Sequence, residues 1–199
     1  MPYFFWTTGD WFSAVLCCRY LFVRLDKLRM PMLRVGAVRY EEWHWALGFF
    51  TDGQFQVLGA WPDEGEGTAQ RIAKDLHDRG VERVHAVAAE DSLLQALEAL
   101  LPKVCSNTTA QLLEPDVLDS RMHGPVRWTE VAWPHLQGRV SRAAKREGPF
   151  ADRGAAADFL SKAFQRVSHD LLDDRYVGWN KRSARFGQDA FTAYRGRAA

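Results

Sequence analysis

A chain of 199 residues with 47% hydrophobic side chains can bury a core of one domain, or of one domain plus an extension. Its net charge of +1 argues for no partner by itself, although residues 1–100 hold 10 basic and 14 acidic side chains while residues 101–199 hold 16 and 11. Three cysteines, two of them adjacent at Cys17-Cys18, exclude a disulfide framework or a zinc pattern and point to a reducing, cytoplasmic location.

Residues 1–18, MPYFFWTTGDWFSAVLCC, are apolar and aromatic but lack a basic start and are broken by Asp10, so a cleaved signal is not expected. They form an unassigned leader, either non-native or a strand-like cover. No run reaches the roughly 18 apolar residues of a membrane span, and no membrane partner is expected. Residues 20–26, YLFVRLD, read as a first strand, and residues 33–38 continue it or form a ribbon. Two further strands over 43–51 and 55–61 flank Asp52-Gly53, a pair suited to the positive φ angles of a tight hairpin. A helix over Thr68–Asp78 stops at Gly80, a natural residue beyond a helix C-terminus.

Residues 84–88 form an apolar strand that runs into the acids Glu90 and Asp91. Residues 91–101 read as a short helix with Leu93, Leu94, Leu97, Leu100 and Leu101 on one side, ended by Pro102. Residues 103–127 read as irregular. A basic helix is expected over 134–145, with Pro134 in its first turn, where a missing N–H costs nothing. After a turn at 147–154, residues 155–172 give the clearest helical pattern, with Ala156, Phe159, Leu160, Ala163, Phe164, Val167 and Leu171 along one stripe. Residues 173–199 are a basic, polar tail.

Several residues stand out. Asp26 is a lone acid at the end of an apolar strand, between Arg24 and Lys27, and reads either as an ion-paired strand end or as a site acid. Asp91 is equally a suitable N-cap for the helix it precedes. The six histidines form no pair at i+3 or i+4, and His44 and His85 read as sheet-face residues. Arg139, Arg142, Lys145 and Arg146 recur as one basic stripe, either a solvated face or a phosphate-contacting one. In the tail, Lys181, Arg182, Arg185, Arg195 and Arg197 interleave with Trp179, Phe186 and Tyr194, a pattern of nucleic-acid binding or of a frayed end. Nucleophile motifs, phosphate-binding glycine loops and dinucleotide fingerprints are absent.

The order of hairpin, helix and acid-ended strand across residues 47–91, with Gly80-Val81-Glu82 at the strand entry, resembles the core of the Mutator-family bacterial transposases. These are DNA-cutting enzymes of the ribonuclease-H-like type. The resemblance covers roughly residues 20–175 and is strongest over 46–102. It implies an α/β fold with a mixed sheet of about five strands and flanking helices. Residues 19–172 would be a catalytic-type domain without the family's helical insertion. It also implies DNA as partner and a site of three carboxylates around two divalent ions, since hard Mg²⁺ prefers oxygen ligands.

Leu25-Asp26 lies at the family's distance from Gly48, which makes Asp26 the first acid. Glu90-Asp91 stands where the family has Asp-Gly, making Glu90, or Asp91, the second. Asp26 and Glu90 are thus the implied metal positions, with Mg²⁺ as cofactor if the chain is active and none otherwise. The third acid falls on Pro134, in a segment whose spacing to Gly148 and Phe150 otherwise fits, with Glu130 one turn earlier as a substitute. Cys105 lacks the family's following His. The resemblance therefore implies a shortened transposase domain with impaired strand cleavage and transfer, whose basic helix meets DNA. The alternative is a non-catalytic module that binds DNA or a protein, including a full-length transposase or a second copy of this chain. A gene remnant is a third possibility.

Overall fold

The computed structural model describes residues 11–50, 54–100, 105–106 and 123–172. The Asp52-Gly53 turn, Leu101 and the tail from residue 173 lie outside the described residues. No helix among the described residues is long and apolar enough to cross a membrane.

The first strand, β1 (Arg19–Arg34), is 16 residues long, well beyond the expected end at Asp26. It turns at Val35-Gly36, both with positive φ (48° and 76°), into β2 (Ala37–Phe49). Of the two expectations for residues 33–38, the ribbon is the one found: they form the tip of the β1–β2 hairpin, with Leu33 paired to Val38. β3 (Phe55–Pro62) pairs antiparallel with β2. Helix α1 (Thr68–Asp78) has the expected bounds, and Gly80 beyond it has φ 102°. Strand β4 (Arg83–Ala88) pairs parallel with β1, as the crossover through a helix demands. Helix α2 (Asp91–Leu100) follows, then the two-residue β5 (Cys105–Ser106) beside β4. The sheet order is β3-β2-β1-β4-β5. Four of these strands are full length and β5 is a short edge segment, so the expected five-strand sheet is in substance a four-strand mixed one.

Helices α3 (His123–Glu147) and α4 (Arg153–Leu172) complete the described elements. The expected start of α3 at Pro134 is wrong. The helix begins 11 residues earlier, at His123, and Pro134 lies in its interior. Pro125, two residues into the helix, takes the first-turn role instead. Packing carries the helix through Pro134, whose exposed ring faces away from the core while Ala132, Trp133 and Leu136 are buried.

Helices cover both sheet faces. Phe22, Leu28, Met30, Trp43, Trp45, Leu47 and Phe49 pack under α3 and α4, which contribute Trp133, Leu136, Val140, Leu160 and Phe164. Val23, Leu25, Ala46, Leu58, Val84 and Val87 pack under α1 and α2, against Ile72, Leu76, Leu93 and Leu97. In α2, Leu93 and Leu97 are buried as expected, but Leu100 is exposed because the helix stripe turns away at its last residue. Residues 11–18 are not detached. Leu16 is buried, its N–H bonds the Arg79 carbonyl at 2.7 Å, and the Arg79 guanidinium returns a bond to the Ala14 carbonyl at 3.0 Å. Gly48 has a packing role. A Cβ there would meet the Tyr20 ring and lie 3.0 Å from Leu58 Cδ2.

Candidate functional site

Strand alternation decides which way each acid points. On β1, Phe22, Leu28 and Met30 face α3 and α4, and Val23 and Leu25 face α1 and α2. Asp26 falls in the first set. Its Oδ2 accepts a hydrogen bond from Trp133 Nε1 at 3.0 Å, and its Oδ1 accepts one from the Lys27 N–H at 2.8 Å. Arg24 Nη2 stands 4.0 Å from Oδ2, and the Arg24 guanidinium lies 4.7 Å from the centre of the Trp133 ring. Trp133 is itself held by stacking on Trp45 at 3.7 Å between ring centres, and Trp45 stacks on Phe164 at 4.9 Å. The residue beside the expected third acid thus supplies a donor to Asp26. Pro134 is exposed, and the side chain of Glu130 lies outside the described residues.

Glu90 follows the end of β4 by two residues, on the strand paired with β1 through Arg24↔Ala88. Asp26, in mid-β1, and Glu90, past the end of β4, therefore each lie two residues beyond the last pair of these parallel strands. Their partners differ. Glu90 Oε1 meets Lys27 Nζ at 3.1 Å. The same ammonium lies 3.6 Å from Glu42 and 3.9 Å from Asp63. Three carboxylates thus share one cation, and the hydrogen bond to Glu90, more than the other charges, raises the Lys27 pKa above its ordinary value. Asp63 is fixed by the loop into α1: its N–H bonds the Glu42 carbonyl at 2.9 Å and its Oδ1 accepts from the Gly65 N–H at 2.9 Å. That backbone donor, with the His44 and Lys27 charges adding, holds its carboxyl below the usual range. His44 is buried with Nε2 at 3.5 Å from Asp63. Lys27, His44, Asp63 and Glu90 line a cleft of about 350 Å³ against the start of α1.

Asp91 is the first residue of α2, and it is the Glu90 carbonyl that accepts the opening helical bond, from the Leu94 N–H at 3.0 Å. The capping position is thus Glu90 and not Asp91, whose charge instead meets the positive end of α2. Among the described residues no group of three or more His, Cys, Asp or Glu is arranged to hold a metal ion. On α3, Arg142, Lys145 and Arg146 are exposed and Arg139 is half-buried, on the side opposite Leu136, Val140 and Ala144.

Nothing local in the sequence marks Trp133, Glu42 or Asp63 as partners. Each is brought in by a long-range contact, and only Arg24 and Lys27, close to Asp26 in sequence, were visible beside the site. The tail cations lie outside the described residues.

Against known proteins, residues 7–113 match a family model described as "Transposase, Mutator family". A transposase for the insertion sequence element ISRM3 of Rhizobium meliloti (strain 1021) is 29% identical over 105 residues, which is 50% of this chain and 26% of that protein. The chain thus spans about a quarter of that relative's length. The family match takes in β1 through β5, with Asp26, Glu90 and Asp91, and ends before α3 and α4.

Proposed function

The chain belongs to the Mutator family of transposases, and from that premise we propose that it is a shortened transposase domain of ribonuclease-H-like type that holds DNA and is impaired in cutting it. The observation that carries this reading is the surroundings of the two inherited acids. Asp26 is occupied by the Trp133 indole and the Lys27 N–H, and Glu90 by the Lys27 ammonium. A two-metal centre needs carboxylates that converge and remain free to take cations. The described residues do not fit that requirement: the acids are turned to different partners, the third position is Pro134, and Glu90 is already bonded to the Lys27 ammonium.

DNA binding is supported by family membership and by the exposed cations of α3. Each phosphate contact releases counterions, so binding to duplex DNA should weaken with salt at close to one log unit of slope per contact. Titration of native chain and an Arg142→Ala/Lys145→Ala double variant from low to high salt tests this. The variant should show a shallower slope. Absent low-salt binding, or an unchanged slope, would leave the stripe as a solvated face. A second reading, a non-catalytic module derived from a transposase, is favoured by the Lys27–Glu90 pair. On that reading affinity is the same in Mg²⁺ and in a chelator.

A further inference from the structure

The β1–β2 ribbon outruns its neighbours. Pairing with β4 ends at Arg24, and pairing with β3 ends at Trp43. Beyond those points one face still packs under α3 and α4, through Leu28, Met30 and Met32, while the opposite face is buried at Pro31 and exposed at Arg29, Leu33, Val38, Tyr40 and Glu42. There Arg29 stands across from Glu42, Pro31 from Tyr40, and Leu33 from Val38. Leu33, Val38 and Tyr40 are all exposed, Tyr40 by 50%.

A cleft of about 640 Å³ is lined on one side by residues of the ribbon and on the other by α3. Gln137, Ser141 and Lys145, one row at four-residue spacing, form its helix side. Gln137 Nε2 fixes the wall by donating to the Lys27 carbonyl at 2.9 Å. Lys27, Leu28, Arg29, Tyr40 and Glu42 form the ribbon side, so three cations and one carboxylate line the cleft, and the Arg29 guanidinium lies 5.9 Å from the Tyr40 ring centre. Arg29 has no ion-pair partner among the described residues. Lys145 also belongs to the basic stripe of α3, so the cleft is continuous with that stripe.

We propose that this cleft takes an unpaired nucleotide of a DNA strand, its base stacked on Tyr40 and its phosphates met by Arg29 and Lys145. This presupposes the DNA-binding reading above and adds to it a single-strand site on the ribbon. A base within a duplex has both faces covered by its neighbours, so only an unpaired or extruded base can offer a face to Tyr40. An aromatic platform beside cations is the arrangement that holds single strands without reading their sequence. Arg29 can serve both parts, since it reaches the ring by a cation–π contact and a phosphate by its N–H groups.

Fluorescence anisotropy with a labelled oligo-dT strand and with a labelled duplex, at low salt, tests this on the native chain, Tyr40→Ala, Tyr40→Phe and Arg29→Ala. Tyr40→Ala should weaken oligo-dT binding by about fivefold or more and leave duplex affinity within about twofold. Tyr40→Phe should keep native affinity, because stacking needs the ring and not the hydroxyl. Arg29→Ala should weaken oligo-dT and lower its salt slope by about one contact. A strand carrying 2-aminopurine should be quenched on binding the native chain and not Tyr40→Ala. Unchanged oligo-dT affinity in Tyr40→Ala, or an equal loss for strand and duplex, overturns the stacking site while duplex binding stands. Failure of the native chain to bind either DNA overturns the DNA reading and this site with it.

Discussion

At Asp26 two N–H groups meet one carboxylate, and the donors come from a tryptophan 107 positions away and from the next residue. Asp26 itself was legible, because a lone acid at the end of an apolar strand is conspicuous. Its tryptophan partner was not, because nothing local marks Trp133 as different from other core aromatics. The same holds for Lys27, whose three acidic neighbours come from β2, the loop into α1 and the end of β4. Asp63 gives this cluster a measurable signature. Its carboxyl is held down first by the Gly65 N–H and then by His44 and Lys27. The stabilisation is fully present above the unfolded carboxylate value of about 3.9 and is lost as the pH falls through the lower folded value. Asp63→Asn should therefore melt below the native chain near neutral pH, and the gap should close below about pH 3.9. A gap of constant size across that range would mean that Asp63 contributes by shape and not by charge.

Elements with strong local signals were read well. Thr68–Asp78 has a sharp stripe of Ile72, Ala73 and Leu76, glycines at both ends and no competing pattern. The β2–β3 pair was legible for similar reasons. Gly48, part of that signal, is required by the close approach of Tyr20 and Leu58. Gly48→Ala should cost about 1–3 kcal/mol by overpacking, visible as a lower urea midpoint with unchanged slope. An unaffected midpoint would show that the Tyr20 ring moves aside freely. Helix α3 was misread because Gly124, Pro125 and Pro134 are breakers on local propensity, whereas burial of Trp133, Leu136 and Val140 favours one continuous helix. Its interior proline loses a backbone bond. Pro134→Ala should raise stability by about 1–3 kcal/mol, and a denaturant melt that shows no gain would place the start of the stable helix after residue 133.

For the molecule as a whole, the sheet order and the parallel β1–β4 pair set Asp26 and Glu90 each two residues beyond the last β1–β4 pair. The mixed sheet with flanking helices was what the resemblance implied; the strand order itself was not read from the sequence. Side-chain partnership was not read from it either, and it decides the chemistry proposed here: Trp133 and Lys27 take the bonds that an open carboxylate site would leave free. The claim that the scaffold holds DNA without cutting it is tested most directly by strand cleavage of supercoiled plasmid in Mg²⁺ or Mn²⁺. The assay takes the native chain, Asp26→Ala and Pro134→Glu side by side. None of them is expected to nick the plasmid, since one added acid leaves Asp26 and Glu90 engaged with their present partners. Nicking by the native chain that disappears in Asp26→Ala would contradict the claim, and would assign the third acidic role to another residue, with Glu130 the first to be replaced.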